Sequence, residues 1–310
     1  AKFSDATRQI ASELSQVGFV KDAIWCDVDG DKRPDLVVAA EWEPITIFMN
    51  RNGELKKLSL VASGLENTNG WWNTIHATDF DHDGDMDFIA GNLGLNSKLK
   101  ADVNNPVRMY VSDFDKNDST DQVLTHIVKG IEYPFHTRDE MTRQMPYLKK
   151  KFLSYRKFAE AAVSQMFGPE LLRDAEKYEA YNFASVYIQN LGEGKFKVIP
   201  LPLSAQFSTV NAILTEDFTG DGETDVLVAG NFYHPNIQMG RYDASYGLLL
   251  RGDGRGNFQS VPASQSGLSV KGEVKHLVKL QHGTETLYLA VRNNDTIMAF
   301  SLQHALAEVA

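Results

Sequence analysis

A single cysteine, Cys26, occurs among the 310 residues, so no intrachain disulfide can form and stability must come from packing or bound ions. No run approaches the roughly 20 consecutive apolar residues that a membrane-spanning helix requires, because Asp, Lys, Asn or Gly interrupts each one. A basic excess is also missing. The 31 Lys plus Arg stand against 41 Asp plus Glu, and the net charge of −10 argues against a nucleic-acid partner. There is no Gly-rich phosphate loop and no Gly-x-Ser-x-Gly elbow, which removes P-loop nucleotide chemistry and α/β-hydrolase chemistry. The chain opens Ala1-Lys2-Phe3 without a charged and apolar leader, and a processed chain or excised fragment is expected. With 43% hydrophobic and 23% charged residues, a wholly disordered chain is excluded.

What is present is a nine-residue acidic pattern, four times over, each copy between two short runs of strand character. Its positions 1, 3, 5 and 9 are Asp27, Asp29, Asp31 and Asp35 in the first copy and Asp79, Asp81, Asp83 and Asp87 in the second. In the third they are Asp113, Asp115, Asn117 and Asp121, and in the fourth Asp217, Thr219, Asp221 and Asp225. Ca²⁺ takes 6 to 8 oxygens at about 2.3 to 2.6 Å, and side-chain oxygens at this spacing nearly fill such a shell. Without a cation, like charges so close would repel strongly. An EF-hand would place a Glu at position 12, but Val38, Ala90, Leu124 and Val228 stand there, so the ligand set closes at position 9 and the loop joins strands. Position 6 wants a residue that tolerates positive φ. Gly84 and Gly222 suit it and Asp118 is tolerable, while Lys32 departs, so a distorted first site is expected. Thr219 substitutes a hydroxyl for a carboxylate, so the fourth site should bind more weakly than the second.

Strand, nine-residue Asp loop, strand resembles the FG-GAP or VCBS-type repeat of integrin-α-like β-propellers. The glycine hairpins Asn190-Leu-Gly192-Glu-Gly194-Lys-Phe196 and Arg251-Gly252-Asp-Gly254-Arg-Gly256-Asn-Phe258, with a shorter one at Asn50-Arg-Asn52-Gly53, are similar to the family's outer-strand hairpin. The resemblance covers roughly residues 1–136 and 183–304. It implies an all-β fold, a β-propeller of four-stranded blades, binding up to four Ca²⁺. It also implies that position 7 lends a backbone carbonyl in each loop, from Arg33, Asp85, Ser119 and Glu223, and that the setting is extracellular, cell-surface or periplasmic.

The first two copies start 52 residues apart, a plausible blade, whereas the second and third start only 34 apart, so the third loop joins a different strand pair or follows a truncated blade. Residues 137–182 have helical periodicity, punctuated by Pro146 and Gly168-Pro169, and form a helical insertion within a single propeller domain spanning 1–310. Subtracting that insertion favours five blades, although six or seven also fit. The stretch from Val274 to Phe300 has strands but no acidic loop, a blade without a metal, and residues 3–7 resemble an outer strand able to complete it.

On the face opposite the loops, Trp42, Trp71, Trp72, Asn96, Tyr233, His234, Arg241 and Asp243 are candidates for stacking on and hydrogen-bonding a sugar or protein partner, against the commoner reading that they pack neighbouring blades. Cys26 reads as a buried small hydrophobe, and His76 and His82 lack the further ligands a zinc site needs. The leading expectation is a non-enzymatic, calcium-stiffened propeller for recognition or scaffolding of a protein or glycan ligand, with no catalytic residues. The alternative is a carbohydrate-active hydrolase or lyase drawing on Glu41, Glu43, Asp243 or His234. The fourteen proposed ligand carboxylates account for the acidity, since removing them leaves 27 acids against 31 bases.

Overall fold

Short runs rich in Val, Ile, Leu and Phe, each cut by Gly, Asn or Asp, reach one strand's length before the chain must turn. In the computed structural model, which describes residues 2–303, they form a mostly β molecule with five antiparallel sheets among the described residues. The first runs β1 (Phe19–Cys26), β2 (Asp35–Glu41), β3 (Thr46–Arg51), β4 (Glu54–Lys57) in chain order. The fourth does the same with β13 (Val210–Glu216), β14 (Asp225–Gly230), β15 (Leu248–Gly252) and β16 (Phe258–Val261). The fifth has three strands, β17 (Val274–His282), β18 (Glu285–Arg292) and β19 (Met298–Phe300).

The second sheet is discontinuous. Its strands β5 (Thr74–Thr78) and β6 (Asp87–Gly91) pair onward with β11 (Val186–Asn190) and β12 (Phe196–Pro200). Between β6 and β11 the chain builds the third sheet from β7 (Val107–Ser112), β8 (Asp121–Val128), β9 (Ile131–Pro134) and β10 (Glu176–Ala180), in the order β10-β7-β8-β9. The five sheets agree in number with the five units favoured above, but they are not all consecutive. Four are in series, with first strands β1, β5, β13 and β17 side by side, and the third sheet stands outside that row. The short spacing between the second and third acidic loops follows directly, because the second sheet has made only two strands when the third begins.

Sheets in the row pack face to face, which explains why β2, β6 and β14 carry unbroken apolar runs: they are buried on both sides. Val37, Ile47 and Met49 meet Ile75, Phe88 and Val186 between the first and second sheets. Ile89 and Tyr187 meet Val226 and Val228 between the second and fourth. Ala212 and Ala229 meet Val274 and Ala290 between the fourth and fifth. Gly91 ends β6 where the next sheet presses in, and a Cβ there would lie 2.4 Å from Val210 O. The free face of the first sheet, with Leu36, Val38 and Phe48, is covered by Ala11, Leu14 and Val17. Residues 3–7 therefore form no outer strand. Phe3 is exposed, and a short helix, Thr7–Ile10, leads into that covering segment.

Five short helices, from Arg138–Gln144 to Pro169–Asp174, pack on the third sheet through Met141, Met145, Leu148, Phe158 and Met166. Thr137 opens the first with a capping box to Glu140, and Pro169 begins the last. The end of the segment expected to be helical is instead β10, which pairs with β7.

Candidate metal loops and the opposite surface

All four acidic loops join the first and second strands of their sheets in chain order, and in each the residue before position 1 pairs with position 9: Cys26 with Asp35, Thr78 with Asp87, Ser112 with Asp121, Glu216 with Asp225. Position 6 has positive φ throughout, at Lys32 (66°), Gly84 (94°), Asp118 (63°) and Gly222 (89°). Lys32 thus adopts the conformation the other loops use, and the expected distortion of the first loop is absent.

The loops are built alike from backbone N–H groups turned onto side-chain oxygens. Position 1 accepts from the N–H of position 6, as in Lys32 to Asp27 (2.8 Å), Gly84 to Asp79 (3.1 Å), Asp118 to Asp113 (2.9 Å) and Gly222 to Asp217 (2.9 Å). Position 5 accepts from position 7, with Arg33, Asp85, Ser119 and Glu223 as donors to Asp31, Asp83, Asn117 and Asp221. Position 9 is buried in every loop. Asp35 accepts from Val28 and Asn50, Asp225 from Thr219 and Gly252, and Asp121 from Phe114. Asp87 accepts from Phe80, Asn190 and the Tyr187 hydroxyl. Burial pushes its carboxyl up to about 6, against the opposing pull of those donors.

One oxygen from each of Asp27, Asp29 and Asp35 lies within 4.8 Å of the others, and the same holds for Asp79, Asp81, Asp87 and for Asp113, Asp115, Asp121. That span is about twice a Ca²⁺–oxygen bond. Asp81 Oδ1 and Asp115 Oδ1, both at position 3, are buried with no hydrogen-bond partner. A buried carboxylate oxygen left without a donor is costly, and a cation in the loop would supply what is missing. These three clusters can hold a metal ion. The fourth loop forms no such cluster among the described residues, in keeping with Thr219 at position 3.

The loops differ in what else meets their oxygens, a feature sequence reasoning missed. Arg51 Nη1 lies 2.7 Å from Asp29 Oδ2 and 3.5 Å from Asp31 Oδ2, and Arg33 pairs with Asp31 from within the loop. Burial acts against ionisation of Asp29, yet the Arg51 hydrogen bond holds its carboxyl below the ordinary range. Arg251 Nε sits 2.7 Å from Asp221 Oδ2 in the fourth loop. In the second loop a neutral group, Gln189 Nε2, donates to Asp81 Oδ2 at 2.8 Å. The signal was available, since Arg51 and Arg251 flank the glycine hairpins after the third strands. His82 Nε2 approaches Glu223 Oε2 at 2.6 Å and so links the second and fourth loops. Cys26 is half-buried, its thiol pushed up to about 12 by burial and then by Asp35 and Asp27, so it is not a reactive thiolate.

At the other end of the second strands, Trp42 and Trp71 come together edge to face at 5.2 Å, with Phe183 5.1 Å from Trp71. They pack against Val107, Leu124 and Ala180 of the third sheet. Trp42 is held at φ 69°, its N–H donating to Gly70 O at 2.7 Å. Trp72 is fully buried, and its indole N–H donates to Thr68 O. Trp42 and Trp72 are buried, while Trp71 is partly buried and its indole nitrogen has no hydrogen-bond partner among the described residues. Half-buried Tyr233 and exposed Arg241 form a separate pair, the guanidinium 3.6 Å above the ring, with Asp243 3.5 Å from Arg241 Nε. Asn96 donates to Phe207 O, and His234 lies 3.7 Å from Glu273. The residues considered for catalysis have different partners: Glu41 pairs with Lys21, Asp243 with Arg241, and Glu43 lies against Gly18, with burial raising its carboxyl.

Among the described residues no helix is long and apolar enough to cross a membrane. No curated protein matches the chain. Among solved structures it is similar to the crystal structure of the V. cholerae biofilm matrix protein Bap1, with 10% identity over 91% of this chain and 62% of that one and a TM-score of 0.29. Residues 27–90, the stretch holding the first two acidic loops, match the FG-GAP-like repeat.

Proposed function

We propose that the chain is a calcium-binding, non-enzymatic recognition or scaffolding module of the FG-GAP/VCBS type, in which sheets one, two, four and five are consecutive β-propeller blades and the third sheet is an elaboration of the second. The observation that carries this is the unsatisfied pair of buried oxygens, Asp81 Oδ1 and Asp115 Oδ1, inside loops of common register. Ca²⁺ is the ion of choice, because its coordination by 6 to 8 oxygens at flexible angles suits carboxylates and carbonyls on a turn. Bound ions would remove the repulsion within each loop and stiffen one end of the row, leaving the other end to meet a protein or glycan ligand. The FG-GAP-like match supports an extracellular, cell-surface or periplasmic setting.

An ion that binds only the folded state stabilises it by mass action. Melting in excess calcium should exceed melting in EDTA by several degrees, and identical melts would remove the proposal.

A further inference from the structure

The helices laid over the third sheet leave an open cleft of about 770 Å³, within the usual size range of ligand pockets. Its walls come from β8 and β9, from the junction into the helix Arg138–Gln144, from the helix Tyr155–Ala159, and from Gln238 in the β14–β15 connection. That connection is tied in place, since Asn236 donates to Glu140 at 3.0 Å and Lys98 Nζ donates to Gln238 O at 2.7 Å.

Polar groups with unused capacity converge there. The Arg138 side chain is only 12% exposed. Its Nε is spent on Phe152 O at 2.8 Å, while Nη1 pairs with Asp139 at 3.6 Å, longer than a hydrogen bond. The guanidinium lies over the Tyr155 ring, 5.3 Å from its centre, and the Tyr155 hydroxyl donates to Asp139 at 2.9 Å. His126 stands edge-on to Phe135 at 5.5 Å, and His136 Nδ1 is 4.0 Å from Glu140. Burial holds both imidazoles below their ordinary range, so at neutral pH each offers one donor and one acceptor. Among the described residues neither ring makes a hydrogen bond, and the Gln238 side-chain amide is likewise unspent.

We propose that this cleft binds a neutral saccharide. Aromatic rings beside planar, orientable hydrogen-bonding groups suit a ring of hydroxyls with an apolar face. Asp139 in the lining offsets the charge of Arg138, so the cleft has no net positive charge with which to hold a phosphate or carboxylate ligand. The proposal rests on the recognition reading above but uses none of the acidic-loop residues, so either can fail alone: the EDTA melt reports on the loops and the following titration on the cleft.

Isothermal titration of the full chain, in excess calcium, would use cellohexaose, laminarihexaose, maltohexaose and mannohexaose, with inorganic phosphate as the anionic arm. At least one hexasaccharide should bind saturably, and His126→Ala and Gln238→Ala should each weaken it about tenfold with unchanged melting. Gln238 lies outside the helices and the sheet, so its variant keeps the test valid if His126→Ala disturbs Phe135. Absence of binding to all four sugars, binding indifferent to both variants, or binding of phosphate alone would overturn the proposal.

Discussion

Asp87 Oδ1 accepts the backbone N–H of Asn190 at 2.8 Å, a bond that joins residues 103 apart and closes the second sheet around the whole third sheet. The last residue of an acidic loop is therefore also the clasp of the insertion. Its other oxygen holds Phe80 N–H and the Tyr187 hydroxyl. Asp87→Ala strands three buried donors and should cost at least about 3 kcal/mol, given roughly 1 to 3 kcal/mol for each unsatisfied group. Urea denaturation in EDTA isolates this role from metal binding. A loss that appears only when calcium is present would show that Asp87 acts as a ligand and not as a clasp.

Thr219→Asp completes the fourth loop with the carboxylate that the other three have at position 3. The variant should take up one more calcium ion per chain than the parent, measured by elemental analysis after equilibrium dialysis. An unchanged count would mean that Arg251, paired with Asp221, and not Thr219 sets the limit.

Arg51 neutralises the first loop from outside it. Arg51→Gln should lower melting in EDTA and leave melting in excess calcium nearly unchanged, which widens the gap between the two. Calorimetric scans of both proteins under both conditions decide it, and an equal gap would mean that Arg51 plays no part in compensating the ion-free loop.

His76 links the second and fourth sheets through a 2.8 Å contact to Thr215 Oγ1. Burial holds its pKa below the ordinary value, with Asp22 pulling the other way. The folded state thus favours the neutral ring, and its contribution is complete above about pH 6.5 and is lost as pH falls through the lower folded value. His126 and His136 are depressed in the same direction, so His76→Gln should flatten the acid limb of stability against pH without abolishing it. A limb as steep as the parent's would contradict this assignment.

The acidic loops were legible because their ligands fall within nine residues, where spacing alone fixes which oxygens converge. The glycine hairpins at Gly53, Gly192 and Gly254 were legible for the same reason, and each joins two paired strands. The nesting was not, since the partner of β6 lies beyond an entire sheet and nothing local distinguishes Val186–Asn190 from the third strand of a later unit. Lys32 was misjudged because residue preference at positive φ is a small energy, overridden once Asp27 and Asp31 bind the surrounding N–H groups. The tryptophans were weighed as surface candidates against the commoner packing reading, and Trp42 and Trp71 do pack against the third sheet, whose placement no local spacing reveals. The Arg138 cleft drew on residues from the β9-to-helix junction and on distant Gln238, a combination that no sequence spacing encodes.

The central claim is that Asp81 and Asp115 complete cation sites. Native mass spectrometry, after stripping with EDTA and reloading with calcium, should find at least two tightly held calcium ions on the parent chain and two fewer on the Asp81→Asn, Asp115→Asn double variant. A parent chain that takes up none, or a double variant that takes up as many as the parent, would contradict the account.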